Sequence, residues 1–242
     1  VKLKSTILSS IRISVLAILF AVISLQAPYV HKAYIRNIAE ESVVQIFGES
    51  GSGTGSHIKL PNGKVVILTN NHICKMPGPL KVKVEGLKDK IVRKIIKMSE
   101  KHDLCVIEGV EGQPAISIGS APDIGDELYT LGHPRGEALN VSKGEYFDDR
   151  VIQMIGDYDQ NGVCKGKVVE IESFFGLPEE VCVVDFDTFQ VSTPTYPGNS
   201  GSPVVNKYGQ LVAVIFAGNP SIENSGFAVP FKYVVEFLSS IK

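Results

Sequence analysis

The stretch PGNSGSPVVNKYGQLVAVIF, residues 197–216, contains two short apolar runs, Pro203 to Val205 and Leu211 to Phe216, parted by Tyr208-Gly209. Each run has the length and the Val/Ile content of a β-strand, and the Tyr-Gly pair supplies the turn between them. The same grammar repeats upstream. Val43 to Phe47, Lys64 to Leu68, Leu80 to Val84, Leu104 to Ile107 and Glu127 to Leu131 read as strands, with a turn at Asn62-Gly63. Lys167 to Phe174, Val181 to Phe189 and Gly226 to Val229 add three more. Two segments read as helices: the N-terminal hydrophobic segment, and Phe231 to Ile241, where Val234, Val235, Phe237, Leu238 and Ile241 recur at helical spacing after Pro230. Short strands at regular intervals with almost no helix between them predict an all-β sandwich or barrel pair.

Composition sets the outer limits. The chain has 242 residues, 44% of them apolar and 21% charged, which suits one globular unit with a real core. Net charge is −2 and the basic residues are scattered, so no electrostatic footprint for nucleic acid is present and no nucleic-acid partner is expected. Lys2, Lys4 and Arg12 precede an apolar run from Ile13 to Leu25, the pattern of an export signal or a membrane anchor. At about 1.5 Å per residue that run is short for a membrane span, and both readings stay open. Of the four cysteines, Cys74, Cys105, Cys164 and Cys182, the spacing selects no pairing. Cys105 and Cys182 lie inside apolar runs and are expected to be free, small buried hydrophobes.

The chemistry concentrates in three segments. In Pro197-Gly198-Asn199-Ser200-Gly201-Ser202-Pro203, glycines flank a serine, which permits the tight turn that aims two backbone N–H groups at one oxyanion. Gly198 and Ser200 are the expected donors. Val65 to His72 ends an apolar strand in a polar turn carrying His72, a suitable general base. Asp103 stands just before the apolar run Leu104 to Ile107, where it can accept the second imidazole N–H. The chain order His72, Asp103, Ser200 is one of the known orders for a serine nucleophile triad. Other candidates carry less. His102 is read as a solvated neighbour of Asp103, and His31, His57 and His133 lack metal-ligand spacing, so no metal is expected. Asp157 to Gly162 copies half a calcium loop, but Val168 holds the position of the bidentate glutamate, and a plain turn is expected. Asn140-Val141-Ser142 is a glycosylation sequon, meaningful only in a eukaryotic host.

With these segments quoted, the chain from Glu40 to Ile241 resembles the HtrA/Deg-type trypsin-like serine proteases of the chymotrypsin-fold superfamily, without a PDZ domain. The matches are Gly51 to Ser56, Thr69 to His72, Asp103 to Ile107, Pro197 to Pro203 and Ser225 to Pro230, with Leu131 to Gly136 similar to a further family loop. The resemblance implies a double six-stranded β-barrel with the site in the cleft between the barrels. It implies a serine endopeptidase acting on polypeptides without a cofactor, with Ser200 as nucleophile, His72 as general acid and base, and Asp103 as orienter. Residues 1–36 then read as export signal or anchor plus linker, and 37–242 as the protease domain, with the barrel boundary near 120–125. The working domain is expected outside the cytoplasm. Membrane association through the N-terminal segment and homo-oligomerisation stay open. Two rival functions stay open too: a catalytically silent protease-like binding or chaperone domain, and an esterase using the same triad.

Two departures matter. Ser202 stands where HtrA proteins usually carry glycine, and Gly-Asn-Ser-Gly-Ser-Pro-Val is similar to the staphylococcal glutamyl endopeptidases. Asn199 replaces the aspartate that, in digestive-type relatives, pairs with a freed N-terminal amine, so activation by trimming one bond is not expected. For the P1 pocket the resemblance points to Pro194, Thr195, Ile215, Phe216 and Ala217. Pro194 stands where a trypsin-like pocket needs an acid. Thr195 fits the threonine of a glutamyl pocket, but Ile215 occupies its histidine position. The remaining lining is apolar, and cleavage after Val, Ala, Leu or Ile is expected.

Overall fold

The computed structural model describes residues 31–156, 158–172, 178–218, 222 and 224–241. The apolar run at 13–25, and with it the N-terminal hydrophobic helix, lies outside the described residues. Among those described, no helix is long and apolar enough to cross a membrane.

A helix over residues 31–42 (α1), unassigned in the sequence reading, leads into β1 (Val43–Phe47) and β2 (Ser52–Lys59). Then come β3 (Val65–Thr69), the short helix α2 (Asn71–Cys74), β4 (Lys81–Val84), the two-residue β5 (Ile91–Val92), β6 (Ile95–Ser99) and β7 (Leu104–Glu108). These strands form one curled sheet in the order β5-β4-β1-β2-β3-β7-β6. The second sheet holds β8 (Glu127–Gly132), β9 (Asn140–Ile155), β10 (Lys167–Glu172), β11 (Pro178–Val191), β12 (Pro203–Asn206), β13 (Leu211–Gly218) and β14 (Gly226–Val229). Its order is β10-β11-β14-β13-β12-β8-β9, and β9 pairs again with β11. That extra pairing closes six strands into a ring and leaves β10 outside it. The architecture is the all-β double barrel, and α3 (Phe231–Ser239) completes it.

Sequence pattern explains which strands were legible. β1 and β14 are compact apolar runs and are read at their observed ends. β2 was missed because Gly53 and Gly55 interrupt its pattern. A Cβ on Gly55 would lie 2.8 Å from the side chains of both Ile46 and Ile67, so close packing excludes the β-branched residue that would have marked a strand. β9 was missed because much of it is an exposed, largely polar ribbon: with β10 and β11 it extends past the barrel as an arm.

The largest apolar cluster lies between the two sheets. It takes Leu68 and Leu104 from the first, Leu131 and Leu211 from the second, Ile35 and Ala39 from α1, and Val234, Phe237 and Leu238 from α3. Each such fully buried aliphatic or aromatic side chain contributes about 1.5–3 kcal/mol. α3 thus seals the seam between the barrels.

The cysteine expectation is corrected. Cys105 and Cys182 are not free: Cys74 is bonded to Cys105 and Cys164 to Cys182. An apolar strand context shows that a sulfur is buried, but it does not show whether a second sulfur is buried beside it. The first bridge ties α2 to β7, and the second ties the loop before β10 to β11.

Candidate active site

β3 and β7 are neighbours in register, with Thr69 opposite Cys105. The residues just beyond the end of β3 and just before β7 are therefore close in space. His72 sits in α2, and Asp103 in the turn before β7. Asp103 accepts two hydrogen bonds from one residue: the His72 backbone N–H to Oδ1 at 2.9 Å and the imidazole Nδ1–H to Oδ2 at 2.7 Å. The imidazole is half exposed, at 46%, whereas the carboxylate is 13% exposed. With Nδ1 donating, Nε2 keeps its lone pair for the cleft. Asn70 fixes the acid from behind, donating Nδ2–H to the Asp103 carbonyl at 3.0 Å.

Ser200 lies between β11 and β12, in a turn closed by Asn199 N–H to Tyr196 carbonyl (3.0 Å) and Ser202 N–H to Asn199 carbonyl (2.9 Å). Gly201 has φ +87°, and a Cβ there would lie 2.0 Å from the Thr54 carbonyl oxygen. Only glycine fits. Gly198 has φ +95° and is equally restricted, its would-be Cβ falling 2.4 Å from the His133 carbonyl. Neither the Gly198 nor the Ser200 N–H donates to an acceptor among the described residues. Two unpaired donors flanking a serine side chain are what an oxyanion site requires. The Ser200 hydroxyl donates to the Phe216 carbonyl at 3.3 Å, and no hydrogen bond joins it to His72 among the described residues.

The sequence reading missed Thr54, which joins these parts. Its N–H donates to the Ser200 carbonyl (2.8 Å), its hydroxyl donates to the Gly198 carbonyl (2.8 Å), and its own carbonyl accepts the Thr69 hydroxyl (2.7 Å). Its hydroxyl oxygen also accepts the His133 N–H at 3.0 Å. One residue of β2 thus connects the serine loop, the strand before His72 and the loop after β8. Its only sequence signal was membership in the Gly51 to Ser56 stretch.

The expected P1 residues divide between two faces. Thr195 stands between Gly218 and Gly226: a Cβ on Gly226 would lie 2.6 Å from Thr195 Oγ1, and one on Gly218 would lie 2.8 Å from Thr195 Cβ. Ile215 is fully buried and reaches the same place, with Cδ1 3.4 Å from that Gly226 position. Neighbours along a strand point to opposite faces, so the Phe216 ring turns away from Ile215 and packs on Phe186 at 5.5 Å. Pro194 is half-buried next to Thr195, and Ala217 is half-buried opposite Phe227. Of these two glycines, Gly226 belonged to the Ser225 to Pro230 match, and neither was expected against Thr195. On the Phe216 side, a cleft of ≈ 750 Å³ runs from His72 to the arm, with Met154, Val184 and Phe186 in its lining. Lys165 of the arm meets Glu100 at 3.7 Å, and Glu100 pairs with Lys75 at 2.6 Å, joining the arm to the rim beside His72.

Two other histidines, His57 and His133, serve structure. His57 is fully buried, donating Nδ1–H to the Ser42 carbonyl and accepting the Val110 N–H at Nε2, each at 3.1 Å. Burial lowers its pKa and keeps the ring neutral. His133 is buried in the loop after β8, and burial lowers its pKa too. Asp159 accepts the N–H groups of Asn161 and Val163, forming a tight turn. Asn199 is buried, and neither its Oδ1 nor the Ser202 hydroxyl has a hydrogen-bond partner among the described residues.

A sequence profile of the trypsin-like peptidase domain matches residues 53–214. The chain is 25% identical over 213 residues to the serine protease Do-like HtrA of Bacillus subtilis, covering 81% of this chain and 42% of that protein. It is 29% identical over 171 residues to a probable periplasmic serine endoprotease DegP-like of Chlamydia trachomatis, covering 68% and 29%. The chain spans less than half the length of either relative. In three dimensions it is similar to the active form of the Rv3671c protease of M. tuberculosis, with TM-score 0.63, 18% identity and coverage of 86% and 83%. It is similar also to the serine endoprotease of Yersinia pestis, with TM-score 0.61, 19% identity and coverage of 85% and 65%.

Proposed function

The chain belongs to the trypsin-like peptidase family, and from that premise we propose that it is a serine endopeptidase using Ser200, His72 and Asp103. The observation that carries the reading is the double hydrogen bond from His72 to Asp103, which fixes the tautomer and leaves the Nε2 lone pair free to act as a base. In this mechanism His72 Nε2 takes the Ser200 proton as Oγ turns from the Phe216 carbonyl to attack the scissile carbonyl. The tetrahedral oxyanion is held by the Gly198 and Ser200 N–H groups. His72 then returns the proton to the leaving amine, and the peptide's acyl half stays on Oγ as an ester. A water that loses its proton to Nε2 hydrolyses that ester and restores the serine.

A fluorophosphonate probe tests this reading. Ser200 is expected to be labelled, and Ser200→Ala is expected to abolish labelling. A folded protein that resists the probe would be a silent binding domain, and turnover of esters without peptides would make it an esterase.

For specificity, the reading follows the side chains between Gly218 and Gly226. Thr195 and Ile215 offer no charge to a basic or acidic P1 residue, so cleavage after Val, Ala, Leu or Ile is expected. Each extra methylene should discriminate by about 1–3 kcal/mol. A peptide-library profile checks this, and dominant cleavage after Lys, Arg or Glu contradicts it.

The charged and apolar N-terminal sequence and the two disulfides favour work outside the reducing cytoplasm. The word periplasmic in the name of the Chlamydia relative agrees with that reading. Protease accessibility after opening the outer barrier of intact cells checks it, and a domain that stays shielded refutes it. Polypeptides are the partners this reading requires.

A further inference from the structure

Asp103 has φ +47°, the left-handed region that is uncommon for a non-glycine residue although aspartate enters it more readily than most. Two restraints lie in its own barrel: the Asn70 bond to its carbonyl, and the Cys74–Cys105 bridge just beyond it. A third comes from the far end of the chain. His102, expected to be a solvated neighbour, is half-buried and stacks on Tyr233 of α3, with ring centroids 4.1 Å apart and planes 21° from parallel. The Tyr233 hydroxyl donates to Asp187 of β11, and Lys232 lies 3.7 Å from the same carboxylate. The turn that carries Asp103 is therefore held to the second barrel by this ring pair, beside the Glu100–Lys165 ion pair to the arm. Burial lowers the His102 pKa, and Lys101 and Lys232 act in the same direction against Glu236 and Asp187, so the ring stacks in its neutral form.

We propose that His102 and Tyr233 are positioning residues: their stack fixes the backbone of Asp103, and with it the angle at which the carboxylate meets the His72 imidazole. This rests on the triad reading above. The C-terminal helix then acts on the catalytic geometry through the turn that carries Asp103.

The test uses the full chain with His102→Ala, His102→Phe, Tyr233→Ala, Tyr233→Phe and Tyr233→Leu, read by kcat and KM on one peptide. The low-field proton resonance of the His72 Nδ1–H is a second readout, since a merely structural loss would not move it in protein that remains folded. The alanine variants should lose about threefold to tenfold in kcat at unchanged KM, in line with the worth of an aromatic pair, with the resonance shifted or broadened. The phenylalanine variants, which keep a ring, should stay within about twofold of the parent. The double alanine variant should be no worse than either single, because the two act through one contact. Tyr233→Leu keeps bulk without a ring and covers the case in which alanine prevents folding. If it matches Tyr233→Phe, or if the alanine variants keep kcat and resonance, the proposal is overturned. Asp103→Asn in the same assay separates this outcome from failure of the triad reading, which would leave that variant active.

Discussion

Replacing Ser200 or His72 by alanine is expected to lower peptide turnover by about 10⁶-fold, and the double replacement by no more than either single. The size follows from interdependence. A serine hydroxyl is a poor nucleophile unless a base removes its proton during attack, and His72 has no other role in the mechanism than to move that proton. Without His72, Ser200 keeps its bond to the Phe216 carbonyl and has no acceptor of adequate basicity. Without Ser200, the base has no nucleophile to serve, and only the Gly198 and Ser200-position N–H donors remain to assist attack by water. Steady-state kcat/KM on one peptide, with circular dichroism to confirm folding, measures both variants. Loss of activity in His102→Ala to the same extent, with His72→Ala intact, would transfer the base role to the wrong-facing histidine and overturn the assignment.

Asp103→Asn is expected to cost roughly 10⁴-fold. The carboxylate accepts from two N–H groups of His72, one on each oxygen. An amide has one acceptor and one donor, so it cannot satisfy both. With the amide oxygen on the backbone N–H, the NH₂ faces Nδ1 and forces the proton onto Nε2, where it blocks proton transfer from Ser200. With the amide reversed, its NH₂ opposes the His72 backbone N–H, donor against donor. The first arrangement removes the tautomer that catalysis needs, and the second keeps it only against that donor clash, while shape and burial stay nearly unchanged. The kcat/KM profile against pH is the measurement, and a variant within about tenfold of the parent would show that Asp103 does not orient the imidazole.

Local physics explains what was legible. β1 and β14 are apolar runs bounded by turn residues, and such runs declare themselves within five or six positions. Ser200, His72 and Asp103 were nominated for the same reason: each lies in a short segment whose glycines, polar turn or following strand fit its task. The glycines on either side of Ser200 were informative because positive φ is a demand that few residues meet, and both do adopt it.

The rest depended on which distant segments meet. Whether Cys74 is free or bonded depends on the register of β3 against β7, which brings Cys105 beside it from 31 residues away. Thr54 gained its role only when β2 was placed between the serine loop and Thr69, and Gly218 and Gly226 came against Thr195 only when β13 and β14 paired. His102 looked solvated because nothing near it in sequence reveals that α3 brings Tyr233 across the barrel seam. By itself, then, the sequence determined an all-β chain and the identity of three candidate catalytic residues, since periodicity and turn chemistry are written over a few neighbouring positions. The tertiary structure alone decided the cysteine pairs, the neighbours of Thr195 and the contacts that hold Asp103, because these are set by sheet register and long-range closure, which no short window of residues records.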